Sequence, residues 1–263
     1  MLVKIAIVSI AYSSTACITS LAESLEDGVN EVQCEIFLHS QRPELIDACT
    51  RFAQRPGVFY HPYGVNRGVS RSWNDGMLAG FARKADAVLI ANDDIAFASG
   101  DVEKLAARAV AHRESYIVSC AGTHLGFQRR VPSMGYSCFA INPVALQKLG
   151  ALDENIFPAY CEDQDYAYRA RLAGLQEENC ADTQLTHVGS ASVRSDPILF
   201  RQNLVTQARN ALYYQQKWGG SAGSETFLSP FNNPRLSIYI SPARRGHPYG
   251  RGFDRDDRDI VRV

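Results

Sequence analysis

The chain has 263 residues, 46% of them hydrophobic and 21% charged. This is ordinary globular composition, long enough to bury one large core or two small ones, and it excludes disorder of the whole chain. Lys and Arg number 27 against 28 Asp and Glu, a net charge of −1, so no global field draws the protein to nucleic acid or to an anionic membrane.

Val3 to Ile10 is β-branched and reads as a buried first strand rather than a signal peptide, because the only preceding charge, Lys4, sits inside the run. A short helix is expected over Thr19 to Leu25. Cys34 to His39 reads as a strand, Pro43 to Phe52 as a helix and Val58 to His61 as a third strand. A loop marked by Asn66 and Gly68 leads into a helix through Ala79 to Ala82. Ala87 to Ala91 is the clearest strand. Asp101 to His112 is a helix with Leu105, Ala109 and His112 on one face. Tyr116 to Cys120 is another strand.

Strand and helix alternate to about residue 120, which implies an α/β fold with a mostly parallel central sheet and helices on both faces. Ligands then bind beyond the carboxyl ends of the strands. Those ends carry Tyr12-Ser13, His39-Ser40, Asn66 to Gly68 and Asn92 to Asp94.

The second half reads differently. Gly135 to Asn142 is a strand, and Pro143 to Leu149 a helix with proline in its first turn. Glu162 to Ala173 is a helix ended by Gly174. Gln184 to Val188 is a short strand, and Leu199 to Trp218 a long helix ended by Gly219-Gly220. Six arginines and four aspartates fall among glycines and prolines in the last twenty residues. The expected organisation is a domain over 1–220 and a C-terminal extension over 221–263, partly flexible or lid-like.

The seven cysteines form no Cys-x-x-Cys pair, so buried free thiols in a reducing, cytoplasmic setting are expected. No stretch reaches the roughly 18 apolar residues of a membrane helix, which leaves at most peripheral membrane contact.

Four groups of residues carry candidate chemistry. Asn92-Asp93-Asp94 ends an apolar strand, where paired carboxylates suit Mg²⁺ or Mn²⁺ that also binds phosphate; a capped turn is the ordinary alternative. Glu162-Asp163-Gln164-Asp165 opens a helix. Acidic residues favour that position anyway, and Asp165 is spaced to pair with Arg169. One of these carboxylates can instead serve as a general base. His187 ends a short strand, and a lone histidine is more often structural than a ligand. Asn66-Arg67-Gly68 with Asn74-Asp75-Gly76 can cradle phosphate through backbone N–H groups. No Walker lysine pattern, no Gly-x-Gly-x-x-Gly after the first strand and no Gly-x-Ser-x-Gly is present, which disfavours P-loop, dinucleotide and α/β-hydrolase readings.

Taken in order, these pieces resemble a GT-A glycosyltransferase of family 2. The resemblance runs over residues 3–220, through Val88 to Asp94, Phe139-Ala-Ile, Leu149-Gly-Ala-Leu-Asp-Glu154, Tyr160 to Gly174, His187 and Lys217-Trp-Gly-Gly220. It is nearest to enzymes that add rhamnose-type sugars to surface polysaccharides. The resemblance implies an inverting transfer from a nucleotide-diphosphate sugar, built on UDP, dTDP or GDP, to a glycan or lipid-linked glycan. It implies that Asp94 and His187 bind a divalent cation, Mn²⁺ or Mg²⁺, and that Asp163 is the catalytic base with Glu162 on the acceptor side. Tyr12, Ser13, Asn66, Gly68, Asn74, Asn92 and Asp93 would contact the donor. Two departures leave the nucleotide open: the second strand ends in His39 where the family usually has aspartate, and Trp73 stands where many members have arginine. A catalytically inactive binding protein on the same fold, or a sugar nucleotidyltransferase, is the alternative. The latter would want a Gly- and Lys-rich loop in place of Ala11 to Thr15.

Overall fold

The computed structural model describes residues 5–11, 14–25, 32–189, 197–243 and Tyr249. Its strands are β1 (Ile5–Ala11), β2 (Val32–Leu38), β3 (Val58–Pro62), β4 (Ala87–Ala91), β5 (Ile95–Ala96), β6 (Ser115–His124), β7 (Arg129–Val131), β8 (Cys138–Ile141) and β9 (Gln176–His187). Its helices are α1 (Thr15–Ser24), α2 (Pro43–Phe52), α3 (Val69–Ala82), α4 (Asp101–Ala111), α5 (Pro143–Leu149), α6 (Glu162–Leu172) and α7 (Pro197–Trp218). They build one sheet in the order β3-β2-β1-β4-β8-β6-β9-β5, with β7 on the side of β6.

The first four strands are parallel, as the alternating sequence requires. Beyond β4 the sheet is mixed. β8 runs antiparallel to both β4 and β6, and β9 runs parallel to β6. Successive β4 side chains face opposite ways. Ala87, Leu89 and Ala91 join a core with residues of α1, α2 and α4, whereas Val88 and Ile90 join a core with residues of α3, α5 and α6. Helices therefore cover both faces, and a strand buried on both sides reads as an unbroken apolar run.

Several element bounds differ from expectation. α1 starts at Thr15 rather than Thr19, because the Ser14 hydroxyl accepts from the Cys17 N–H and caps the helix there. The expected strand at 116–120 continues to His124, and the one at 184–188 is the tip of the twelve-residue β9. Gln176 to Asn179 hid the rest of β9, since their polar side chains break any apolar alternation. Gly135 to Ser137 form a 3₁₀ turn before β8.

Residues 221–243 run back over α6 and α7. The N–H groups of Thr226 and Phe227 both donate to the Trp218 carbonyl. Tyr168 donates its hydroxyl to Phe227 O, and buried Ile240 exchanges backbone hydrogen bonds with Leu149 and Ala151. Tyr249 stands over the buried Lys217 ammonium, 4.6 Å from ring centre to Nζ. The rest of the last twenty residues lies outside the described ones.

Candidate active site

Asn92, Asp93 and Asp94 leave the carboxyl end of β4 in a tight turn. Asn92 donates its N–H to Ser137 O at 2.9 Å, and Ile95 N–H closes back on Asn92 O. The chain then enters β5, whose two residues pair with the tip of β9, Ile95 opposite His187. That crossing brings Asp94 to His187. The Val188 N–H donates to Asp94 O, and the Gly189 N–H donates to Asp94 Oδ2 at 3.0 Å. With Oδ2 so fixed, Oδ1 lies 3.1 Å from His187 Nε2.

This approach is not aligned as a hydrogen bond, and both His187 ring nitrogens are buried without a hydrogen-bond partner. Two neighbouring ligands of an octahedral ion, each about 2.1 Å from it, stand about 3 Å apart. The Asp94–His187 pair therefore fits a shared divalent cation, and the orphaned imidazole nitrogens call for one. No group of three His, Cys, Asp or Glu among the described residues could hold an ion by itself. The pair would supply part of a coordination sphere and leave the rest to a ligand.

Two residues behind this pair escaped sequence reasoning. The His124 ring packs edge-on against His187, 4.9 Å between centres, and stacks on Phe127 at 4.0 Å. Gly189 has φ +80°, and a Cβ there would sit 2.3 Å from His124 Cε1. Only glycine lets the backbone reach Asp94 beside that ring. The glycine two residues after His187 was the available signal.

The second cluster starts α6. Tyr160 and Cys161 both take left-handed backbone conformations, with φ of 74° and 75°, each costing roughly 1–3 kcal/mol outside glycine. Asn210 of α7 holds this turn by donating its amide to Ala159 O and Tyr160 O. The turn delivers Glu162 and Asp163. Glu162 is buried and its Oε2 has no hydrogen-bond partner. Burial, followed by the nearby Asp163 charge, pushes its pKa up to about 8. Asp163 is half-buried and its Oδ1 accepts from the Gln164 N–H at 2.8 Å. Burial raises it above the usual aspartate range, while backbone hydrogen bonds pull the other way. Its charge reaches the Tyr136 hydroxyl, and Tyr136 adjoins Ser137, the residue that anchors Asn92.

Glu162 makes folding sensitive to pH. Below its ordinary pKa of 4.5 the folded and unfolded chains are both protonated. Between 4.5 and about 8 only the unfolded chain ionises, so stability falls as pH rises through that window. Glu162→Gln removes the ionisation. The melting temperature of the variant relative to the wild type should climb steadily across this window, as read by thermal denaturation in buffers spanning it. A constant difference would refute the assignment.

Asp165 does not face the site. Arg169 Nε donates to it at 2.9 Å and Trp218 Nε1 at 2.8 Å, and Lys217 Nζ stands 2.5 Å away. The expected pairing with Arg169 is present, inside a buried network.

Two expected donor contacts, Asn74 and Gly68, need correction. Asn74 is buried: its amide nitrogen donates to Leu152 O and Glu154 Oε1, and its oxygen accepts from the Leu152 N–H. It ties α3 to residues 152–154 and has no polar atom left for a donor. Gly68 does not cradle phosphate. Its N–H donates to Asn66 Oδ1, the next N–H donates to Pro158 O, and a Cβ would meet Phe157 Cδ2 at 2.8 Å. Asn66 Oδ1 also lies 3.1 Å from His39 Nδ1, so this oxygen is committed to the loop. His39 itself is buried, 2.6 Å from Ser72 Oγ through Nε2, and burial lowers it to about 4. It is thereby neutral and enclosed at the end of β2. Tyr12 and Ser13 lie outside the described residues.

No protein-family model matches the chain, and no curated protein matches it in sequence. Solved structures do match in shape. A mannosyltransferase from Pyrobaculum calidifontis, in complex with GDP-Man and Mn²⁺, aligns at TM-score 0.53 and 15% identity over 80% of this chain and 64% of its own. S. aureus TarS in complex with UDP aligns at TM-score 0.55 and 14% identity over 80% and 65%. GalNAc-T7 with UDP, GalNAc and Mn²⁺ aligns at TM-score 0.63 and 11% identity over 82% and 48%. The chain spans about two thirds of the first two and about half of the third. The chain has the GT-A fold of these proteins.

Proposed function

We propose that the protein is an inverting, divalent-cation-dependent glycosyltransferase. In this reading it moves a sugar from a UDP-, dTDP- or GDP-linked donor to a hydroxyl of a glycan or lipid-linked glycan. The observation that carries the reading is the Asp94–His187 pair, buried, 3.1 Å apart and lacking hydrogen-bond alignment. It lies on a fold whose solved relatives include complexes with GDP-Man or UDP and Mn²⁺. Membership of family 2, a part in building surface polysaccharide and a cytoplasmic setting belong to the same proposal. Free thiols at all seven cysteines support the last.

Asp94 Oδ1 and His187 Nε2 would hold the cation. A bound Mn²⁺ or Mg²⁺ supplies positive charge to the leaving diphosphate. The Gly189 N–H keeps the Asp94 carboxylate turned toward His187, and Asn92 and Asp93 would face the ribose and donor sugar. Asp163 would take the proton of the acceptor hydroxyl as that oxygen attacks the anomeric carbon, with Glu162 beside it on the acceptor side. A single displacement inverts the anomeric centre.

Nucleoside diphosphates with Mn²⁺ should raise the melting temperature, with about 2.7 kcal/mol gained at a ligand concentration about 100 times Kd. Asp94→Ala should lose most of that shift and most of the slow donor hydrolysis that releases nucleoside diphosphate. Full activity in excess EDTA would overturn the cation site, and release of pyrophosphate would favour a nucleotidyltransferase.

A further inference from the structure

α7 presents an unusual surface. Asn210, Tyr214, Lys217 and Trp218 bury one side. Elsewhere on its surface, Phe200, Leu204, Val205 and Leu212 are 51%, 54%, 60% and 56% exposed. Phe200, Leu204, exposed Ala208 and Leu212 recur every fourth residue, so they form one stripe along the helix. Arg201 lies between Leu204 and Val205 around the helix, and Arg209 at the edge beyond Val205; both are exposed. The 22 residues of α7 contain no Asp or Glu.

We propose that this face of α7 docks on an anionic phospholipid surface. Three large apolar side chains on one solvent-facing stripe, with Val205 beside it, need a partner, and the accompanying charge decides which. An amphipathic helix that lies in a membrane interface combines Phe and Leu with Arg, whose aliphatic stem follows the apolar side chains while the guanidinium reaches the headgroups. A second copy of the chain is the poorer fit. Symmetric pairing of this helix would set Arg201 against a copy of α7, whose own residues include no Asp or Glu. No described helix is long and apolar enough to cross a membrane, so the contact is superficial. The net charge of −1 makes it local to this helix. The inference stands on the helix surface alone and does not depend on the proposed transfer reaction.

Sedimentation with sucrose-loaded vesicles tests it on the full chain. The protein should pellet with phosphatidylcholine vesicles containing phosphatidylglycerol, less so as salt rises, and not with phosphatidylcholine alone. Arg201→Glu, and separately the pair Leu204→Glu and Leu212→Glu, should each weaken binding at least about tenfold. These exposed positions should leave the melting temperature unchanged. Absence of wild-type binding to the anionic vesicles, or wild-type binding by both variants, would overturn the proposal. Self-association of the wild type that Leu204→Glu abolishes would give the face to a second copy and overturn it too.

Discussion

Replacing Asp163 by asparagine should lower turnover by roughly 10²–10⁴, about 3–5 kcal/mol in the barrier, while donor affinity changes little. The structure narrows the choice among the three carboxylates at the start of α6. Asp165 is bound by Arg169, Lys217 and Trp218 and has no room for a substrate proton. Burial pushes Glu162 up to about 8, so at neutral pH it is mostly protonated and cannot accept a proton. Asp163 is also raised, yet it stays half-exposed and its helix N-terminus favours the anion. Turnover and donor affinity should be measured for Glu162→Gln, Asp163→Asn and Asp165→Asn, with donor hydrolysis as the readout that needs no acceptor. Near-normal turnover in Asp163→Asn beside a dead Glu162→Gln would transfer the role to Glu162.

Lys217→Met should cost about 3–5 kcal/mol of stability, the usual price of leaving buried carboxylates unpaired. Lys217 is fully buried, with Nζ 2.8 Å from Asp153 and 2.5 Å from Asp165. Burial alone would pull its pKa down. The two carboxylates more than offset this, and the ammonium stays charged. Arg169 completes the cluster by donating to Asp165, Leu149 O and Ala151 O. Without Lys217, Asp153 would keep the Tyr213 hydroxyl and Asp165 would keep Arg169 and Trp218, but the two carboxylates would lose the ammonium they share. Denaturant titration would check this, and a loss below about 1 kcal/mol would show that the cluster reorganises. Adding Asp153→Asn to Lys217→Met should restore part of the loss, because it removes one of the stranded charges.

The parallel half of the sheet was readable because β4 and its neighbours are apolar on both faces and α4 has a plain helical period. The Asn92 to Asp94 turn was readable for the same reason: polar residues stop an apolar strand abruptly. The i,i+4 spacing of Asp165 and Arg169 predicted their contact, but not that Lys217, Asp153 and Trp218 would close around it. That closure depends on where α7 lands. Asn74 and Gly68 misled because a buried amide that ties two segments and an amide that meets a ligand look alike in one dimension. His124 gave no sign in the sequence, and Gly189 only its place two residues after His187, because their role arises when β6, β9 and the turn after β4 meet.

The Asp94–His187 pair has a kinetic corollary. Asp94 and the glycine that fixes it lie 95 residues apart in the chain, and β5, which joins the two segments, has only two residues at the sheet edge. Closing so long a loop carries an entropic penalty that local turns escape, and contacts of this separation form late in folding. Two ladder residues repay little of it. The edge pairing should therefore exchange its amide hydrogens sooner than β4 or β6, by local opening rather than global unfolding. A cation bound at Asp94 and His187 would slow that exchange at Ile95, Val188 and Gly189 and act as the clasp that holds the far edge of the sheet shut.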